Sequence, residues 1–200
     1  MTGQVSILPP TSFEGILFVS ACLLWVLSEV IGSGIVPRLR RGSDKIKRND
    51  NGSALLIRVL VYVSVFIAIL FAIKNIATLP GWVFYPGIAL MVAGIFVRQW
   101  SIFILGRFFT PVVSVQKSQK VVDNGPYRFI RHPSYFGMLL TMIGTGLALQ
   151  SWGGVLVILV MSGIAFGYRI HIEEKFLVSE LGDDYIRYMK RTKRLIPFVF

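Results

Sequence analysis

Residues 127–137 read YRFIRHPSYFG and place two arginines, a histidine and a proline directly before an apolar run; residues 168–174, YRIHIEE, gather a second polar group after one. Each type in these stretches has a distinct chemical use. Proline suits the first turn of a helix, so Pro133 starts one, and the open amides of such a turn attract anions. Arg169 and Glu173 stand four apart and are neighbours on a helix surface, where an isolated pair is a salt bridge of roughly 0.2–0.5 kcal/mol. Beside a long polar loop the same pair can line a cavity, Arg169 holding an anion and Glu173 a cation or hydroxyl. Tyr127 and Tyr135 offer aromatic faces to a cation. The competing reading puts Arg131 and His132 among lipid headgroups and Tyr135 in an aromatic belt. Clustering of both polar stretches and the long loop on one side weighs against it. His171 has no Cys or His close in sequence, which argues against a metal.

The elements that must carry these residues are membrane helices. The chain is 54% hydrophobic and 16% charged, whereas soluble domains carry about 25% charge. Apolar segments near 13–36, 54–73, 83–105, 135–150 and 153–170 approach the roughly 20 residues of a span. The expectation is an all-α integral membrane protein, one domain over residues 1–200, with about five transmembrane helices. QSWGG, with Gly153 and Gly154, suits a tight turn that makes the last two spans a hairpin. Glycines 163 and 167 have the small-xxx-small spacing of close helix packing. Glu29, Arg58 and Arg98 are ionisable groups within spans; Arg58 is expected to snorkel and Arg98 to pair with Glu29. The single cysteine, Cys22, excludes an intrachain disulfide. Residues 1–13 lack Lys and Arg, so the first apolar run reads as a retained span rather than a signal peptide, and the C-terminus has no prenylation box.

Connecting charge orients the chain. Arg38, Arg40, Arg41, Lys45, Lys47 and Arg48 lie in the first connection, Arg107, Lys117, Lys120, Arg128 and Arg131 in the third, and only Lys74 in the second. Retention of Lys and Arg in the cytoplasm then puts the N-terminus outside and the C-terminus inside, with Trp82 and Trp152 at the outer interface. The membrane is the plasma membrane in a prokaryote and the endoplasmic reticulum in a eukaryote. The net charge of +11 reflects this topology and anionic lipid partners rather than nucleic acid. Residues 106–134 are too many for an idle connection, and they form, with the tail 171–200, the cytoplasmic elements. DDYIRYMKRTKR puts acids first and bases last, as a helix dipole favours. Tyr185, Tyr188 and Met189 are expected against the membrane face, Gly182 before this helix and Pro197 after it.

The ordered set GPYRFIRHPSYFG, an apolar hairpin, RIHIEE, LGDDYIRYMKR and a terminal IPF resembles the isoprenylcysteine carboxyl methyltransferases over residues 94–200. The five-span size is similar to their compact prokaryotic members. The resemblance implies a membrane methyltransferase whose cofactor, S-adenosylmethionine, sits in a loop-and-tail pocket at the cytoplasmic face. By position it implies cofactor contacts at Gln116, Gln119, Lys120, Val121, Val122, Tyr127, His132, Pro133, Ser134, Tyr135 and Glu173. It makes Arg169 the substrate contact, Arg169 and Glu173 the catalytic pair, and the substrate a lipophilic isoprenylcysteine carboxylate reached from the bilayer. Such a carboxylate is ionised at pH 7 and needs no general base, so catalysis rests on alignment and desolvation. Other readings stay open. Related methyltransferases act on a phospholipid amine or small thiol; an amine needs a base, which His132 or Glu173 could supply. NADPH-dependent sterol reductases resemble the C-terminal half but are longer. A small membrane scaffold or lipid-binding protein accounts for the basic loops and leaves the ordered polar set without a purpose.

Overall fold

A computed structural model of the protein describes residues 11–35, 39 and 46–196. Arg38, Arg40, Arg41, Lys45 and Pro197, used above, lie outside the described residues. Helix α1, Phe13–Ser28, runs directly into a π-helical stretch, Glu29–Ile35; α2 is Ser53–Ile73, α3 Phe84–Leu105, α4 Pro133–Ala148, α5 Trp152–Leu181 and α6 Asp183–Arg191. Two short strands, β1 Ile46–Arg48 and β2 Ser114–Gln116, pair antiparallel with Ile46 opposite Gln116.

Among the described residues, four segments, Phe13–Ile35, Ser53–Ile73, Gly81–Phe108 and Trp152–Leu181, are long and apolar enough to cross a membrane by length and composition. The expected fourth span is α4, whose 16 residues rise about 24 Å against a hydrocarbon core of roughly 30 Å. The expected last span and the polar stretch after it form one 30-residue helix, α5, ended by Gly182 at φ 56°. Nothing between Ile170 and Leu181 breaks a helix, so one rod carries both membrane surface and the polar residues 169–174.

The turn joining α4 to α5 is residues 149–151, not Gly153 and Gly154 as expected from the sequence. Ser151 starts α5 by accepting a hydrogen bond from the Gly154 amide, which places both glycines inside the first turn of the helix. They are needed for approach rather than turning: a Cβ on Gly153 would lie 2.7 Å from the Phe71 ring of α2.

Close packing is also relocated. Gly163 and Gly167 have no atom within 4 Å of a built Cβ, so the expected small-residue seam is not on α5. It joins α3 to α4. A Cβ on Gly94 would meet the Thr141 amide at 2.4 Å, and one on Gly137 the Arg98 amide at 2.6 Å. Spacing within one helix shows that a backbone can be approached, but a seam also needs small residues opposite it, and here α3 and α4 supply both sides. This contact fixes α4, and with it the polar residues at its start, against α3. Arg98 donates to Glu29 Oε2 at 2.7 Å, as expected, and to the Ser134 carbonyl at 3.2 Å. Arg58 stays exposed and turns back to the Ala54 carbonyl.

The polar connections gather by main-chain pairing. The β1–β2 ladder joins the first connection to the third, and a parallel bridge between Ile130 and Lys193 joins the third to the tail. At the other end, a bridge between Thr78 and Ser151 joins the two connections that carry the exposed Trp82 and Trp152. Gly94→Ala is expected to destabilise the protein by about 1–3 kcal/mol through forced separation of α3 from α4. Gly163→Ala should leave it unchanged or slightly more stable, as thermal unfolding in detergent will show.

Candidate functional site

Where the third connection, the start of α4, the polar end of α5 and α6 meet, a cavity opens. Gln119, Lys120, Val121 and Val122 line it from the loop, Tyr127, His132, Ser134 and Tyr135 from the polar knot, Glu173 from α5, and Tyr185 and Tyr188 from α6. Gln116 and Pro133 do not line it. Gln116 is buried in β2, its Nε2 donating to the Arg107 carbonyl and its Oε1 left without a partner. Pro133 is buried in the first turn of α4.

The knot has an internal order. Residues 125–128 make a 3-10 turn that buries Tyr127, and His132 immediately precedes α4. The rings of His132 and Tyr135 stack at 5.6 Å, as do those of Tyr135 and Phe166. The Tyr135 ring is therefore committed to packing rather than free to receive a cation. Its hydroxyl is the active part: it accepts from Arg169 Nε at 3.0 Å and donates to Glu173 Oε2 at 2.7 Å. The expected Arg169–Glu173 pair is 3.9 Å apart, with that hydroxyl bridging it.

Arg169 is 3% exposed and sits behind the cavity wall. Its Nη1 donates to Asp50 and to Ser53 Oγ, and its Nη2 to the Pro111 carbonyl at 3.1 Å. Asp50 is partly buried, which by itself opposes its charge. The amides of Ala54 and Val113, together with Arg169, outweigh this and hold its pKa below the ordinary carboxylate value.

Glu174, next to Glu173, does different work. Adjacent helical residues point about 100° apart, so when Glu173 faces the cavity Glu174 faces the tail. Its carboxylate takes Arg131 Nε at 2.7 Å, His132 Nε2 at 3.3 Å and Arg194 Nη2 at 3.0 Å, and it is 5% exposed. Arg131 also donates to the Met189 and Thr192 carbonyls. Main-chain bonds from Arg131 N to Lys193 O and from His132 N to Arg194 O complete the closure. The Arg131 side chain, 8% exposed, and the buried His132 are thus structural groups, not headgroup ligands. Tyr185 and Tyr188 are likewise buried cavity walls rather than a membrane-facing stripe, because the Tyr188 hydroxyl reaches the Tyr127 carbonyl at 2.7 Å. Burial first, with Glu173 adding, pushes the Tyr127 phenol well above its ordinary value, and burial raises Tyr188 too, so both are neutral phenols.

Sequence reasoning placed Arg131 in the knot but missed its partner Glu174, and missed Asp50, as members of this assembly. Only the doubled glutamate carried a signal, since two adjacent helical carboxylates cannot share one face.

Fold and site together define a helical integral membrane protein with a polar cavity at one end of its bundle. Residues 87–179 match the model of the isoprenylcysteine carboxyl methyltransferase (ICMT) family. The chain is 30% identical over 154 residues to protein-S-isoprenylcysteine O-methyltransferase B of Arabidopsis thaliana, covering 74% of this chain and 78% of that one. To the Tribolium castaneum protein-S-isoprenylcysteine O-methyltransferase it is 28% identical over 186 residues, 91% of this chain and 65% of that one. The eukaryotic intramembrane Ras methyltransferase ICMT shares the fold, with a TM-score of 0.64 over 98% of this chain and 70% of that one at 23% identity. The protein belongs to the isoprenylcysteine carboxyl methyltransferase family.

Glu174→Ala leaves the Arg131 side chain, 8% exposed, without its counter-charge and His132 without its partner, and is expected to cost about 3–5 kcal/mol. Lys47→Ala, which removes a pair that is 72% exposed on the lysine side, should cost under about 1 kcal/mol. Denaturation in detergent compares the two.

Proposed function

We propose that the protein transfers a methyl group from S-adenosylmethionine to the carboxylate of a lipophilic, isoprenylcysteine-like substrate reached from the bilayer. The observation that carries this reading is the Tyr135 hydroxyl, which couples Arg169 to Glu173 at the wall of a cavity built from the knot, the loop and the tail. The residues present suit the cofactor: one carboxylate, Glu173, for a cation, and the rings of Tyr127, Tyr185 and Tyr188 for an aromatic base or a sulfonium. S-adenosylmethionine, when bound, supplies a methyl group on a positively charged sulfur.

Gln119, Lys120, Val121, Val122, His132 and Ser134 complete the walls that hold it. Glu173 faces the cationic side, and its acceptor position is set by Tyr135. Arg169 draws the acceptor carboxylate toward the cavity and orients it. With the donor bound, the carboxylate held by Arg169 would supply the lone pair for the new C–O bond, the methyl–sulfur electrons returning to sulfur. No proton moves, which matches a site whose tyrosines are neutral and whose His132 is tied to Glu174. The aligned, enclosed geometry supplies most of the acceleration, for which orientation alone reaches roughly 7–11 kcal/mol in favourable systems.

The same reading puts the cavity at the cytoplasmic face. The basic first and third connections converge on it, and retained Lys and Arg mark that side. The acidic and basic residues around the cavity mouth then face anionic headgroups and solvent.

Isothermal titration of the purified protein in detergent is expected to show S-adenosylmethionine binding that weakens at least tenfold in Glu173→Ala and is unchanged in Lys74→Ala at the opposite end. Equal affinities in the two variants would contradict the assignment. Radiolabelled transfer to prenylcysteine analogues should give a base-labile ester, and base-stable label on amines or thiols would identify a different acceptor.

A further inference from the structure

Asp50 lies ahead of α2, distant in sequence from both polar stretches, yet it meets Arg169 directly. Its carboxylate is anchored independently of that contact. Oδ2 accepts from the Ala54 amide at 3.0 Å, and Oδ1 from the Val113 amide at 3.0 Å and Ser53 Oγ at 3.2 Å. Two of these donors are main-chain groups, so Asp50 stays in place whatever Arg169 does. The consequence for Arg169 follows from counting donors. A guanidinium has five N–H groups. Tyr135, Asp50, Ser53 and Pro111 take four of them, leaving one on Nη2. Asp50 and Glu173 both flank the same cation, and the trio is net negative.

We propose that Asp50 is a positioning residue that holds Arg169 half-neutralised, so that the guanidinium orients the acceptor carboxylate through a single N–H instead of clamping it. The inference rests on the carboxyl-methylation reading above. A guanidinium released from Asp50 would present two parallel donors, the arrangement that binds carboxylates most strongly. In this reaction that strength is misplaced. The acceptor oxygen gives its lone pair to the methyl carbon, the methyl–sulfur electrons go to sulfur, and both formal charges vanish. Positive field on the carboxylate is therefore strongest before reaction and weakest after it, so it lowers the ground state more than the transition state. Asp50 subtracts part of that field. Its negative charge also favours a sulfonium nearby, so one carboxylate serves both partners of the transfer.

The test is steady-state methylation of a prenylcysteine analogue by the full-length protein in detergent, with Asp50→Asn beside the wild type. Asparagine keeps one oxygen, for the Val113 amide and Ser53 Oγ, and removes the charge; its amide nitrogen replaces the acceptor of the Ala54 amide, a lost bond that the glutamate and serine variants below separate from the charge. The expected result is a split: KM for the carboxylate falls at least threefold while kcat falls about tenfold, and S-adenosylmethionine binds several-fold more weakly. An uncharged carboxamide analogue, used as a competitive inhibitor, should bind both proteins equally. Asp50→Glu, which restores the charge, should return KM toward the wild-type value. Asp50→Ser, which keeps a short cap and lacks the charge, must show the same split and replaces the asparagine variant if that one does not fold. A KM that is unchanged or raised, or carboxamide binding that changes as the carboxylate's does, overturns the role given to Asp50 and leaves the carboxyl-methylation reading intact. A wild-type protein that makes no methyl ester overturns both.

Discussion

A guanidinium held at 3% exposure must have its charge answered from within the protein, and Arg169 places four of its five donors on partners from the start of α2, the third connection and the knot. Asp50 and Ser53, the Pro111 carbonyl, and the Tyr135 hydroxyl are its partners. An unpaired charge there would cost several kcal/mol in desolvation. Segments far apart in sequence are therefore obliged to meet at one point, and that point is the back wall of the cavity. The helices on which the partners sit are held by other means: α4 by its glycine seam with α3, α5 by its close approach to α2.

A second buried charge organises the opposite wall. Glu174 gathers Arg131, His132 and Arg194, and Arg131 in turn reaches two carbonyls at the end of α6. Replacing such a cluster by apolar groups can be neutral for stability, so its value lies in specificity. It admits one way for the tail to lie across residues 129–132, and that placement brings Tyr185 and Tyr188 into the cavity. Adjacent glutamates on one helix thus serve separate ends, Glu173 facing the cavity and Glu174 facing the tail.

Much of this was legible in the sequence, for identifiable reasons. Long apolar segments, the proline that begins α4, and the Glu29–Arg98 pair follow from rules that act along one chain segment or from the cost of charge in a membrane. The knot and RIHIEE were visible because their composition is anomalous beside apolar runs. What escaped notice depends on contacts between segments. Asp50 looks like an ordinary loop residue until α2 is laid beside α5. The 163/167 spacing does not mark the glycine seam because no described residue packs opposite Gly163 and Gly167, while Gly94 and Gly137 are each opposed across the α3–α4 contact. Tyr185 and Tyr188 fit an interfacial stripe by periodicity, and only the reach of Tyr188 to the Tyr127 carbonyl turns that face inward.

The central claim is that the knot and the 169–174 turn of α5 converge on one nucleoside sulfonium. Its most direct test is an experimental structure of the detergent-solubilised protein saturated with S-adenosylhomocysteine, which keeps the nucleoside and lacks the methyl group. The account predicts density for the nucleoside in the cavity between Tyr127, Tyr135 and Glu173, enclosed by residues 119–122. Density at another site, or a cavity left empty at saturating ligand, would contradict it.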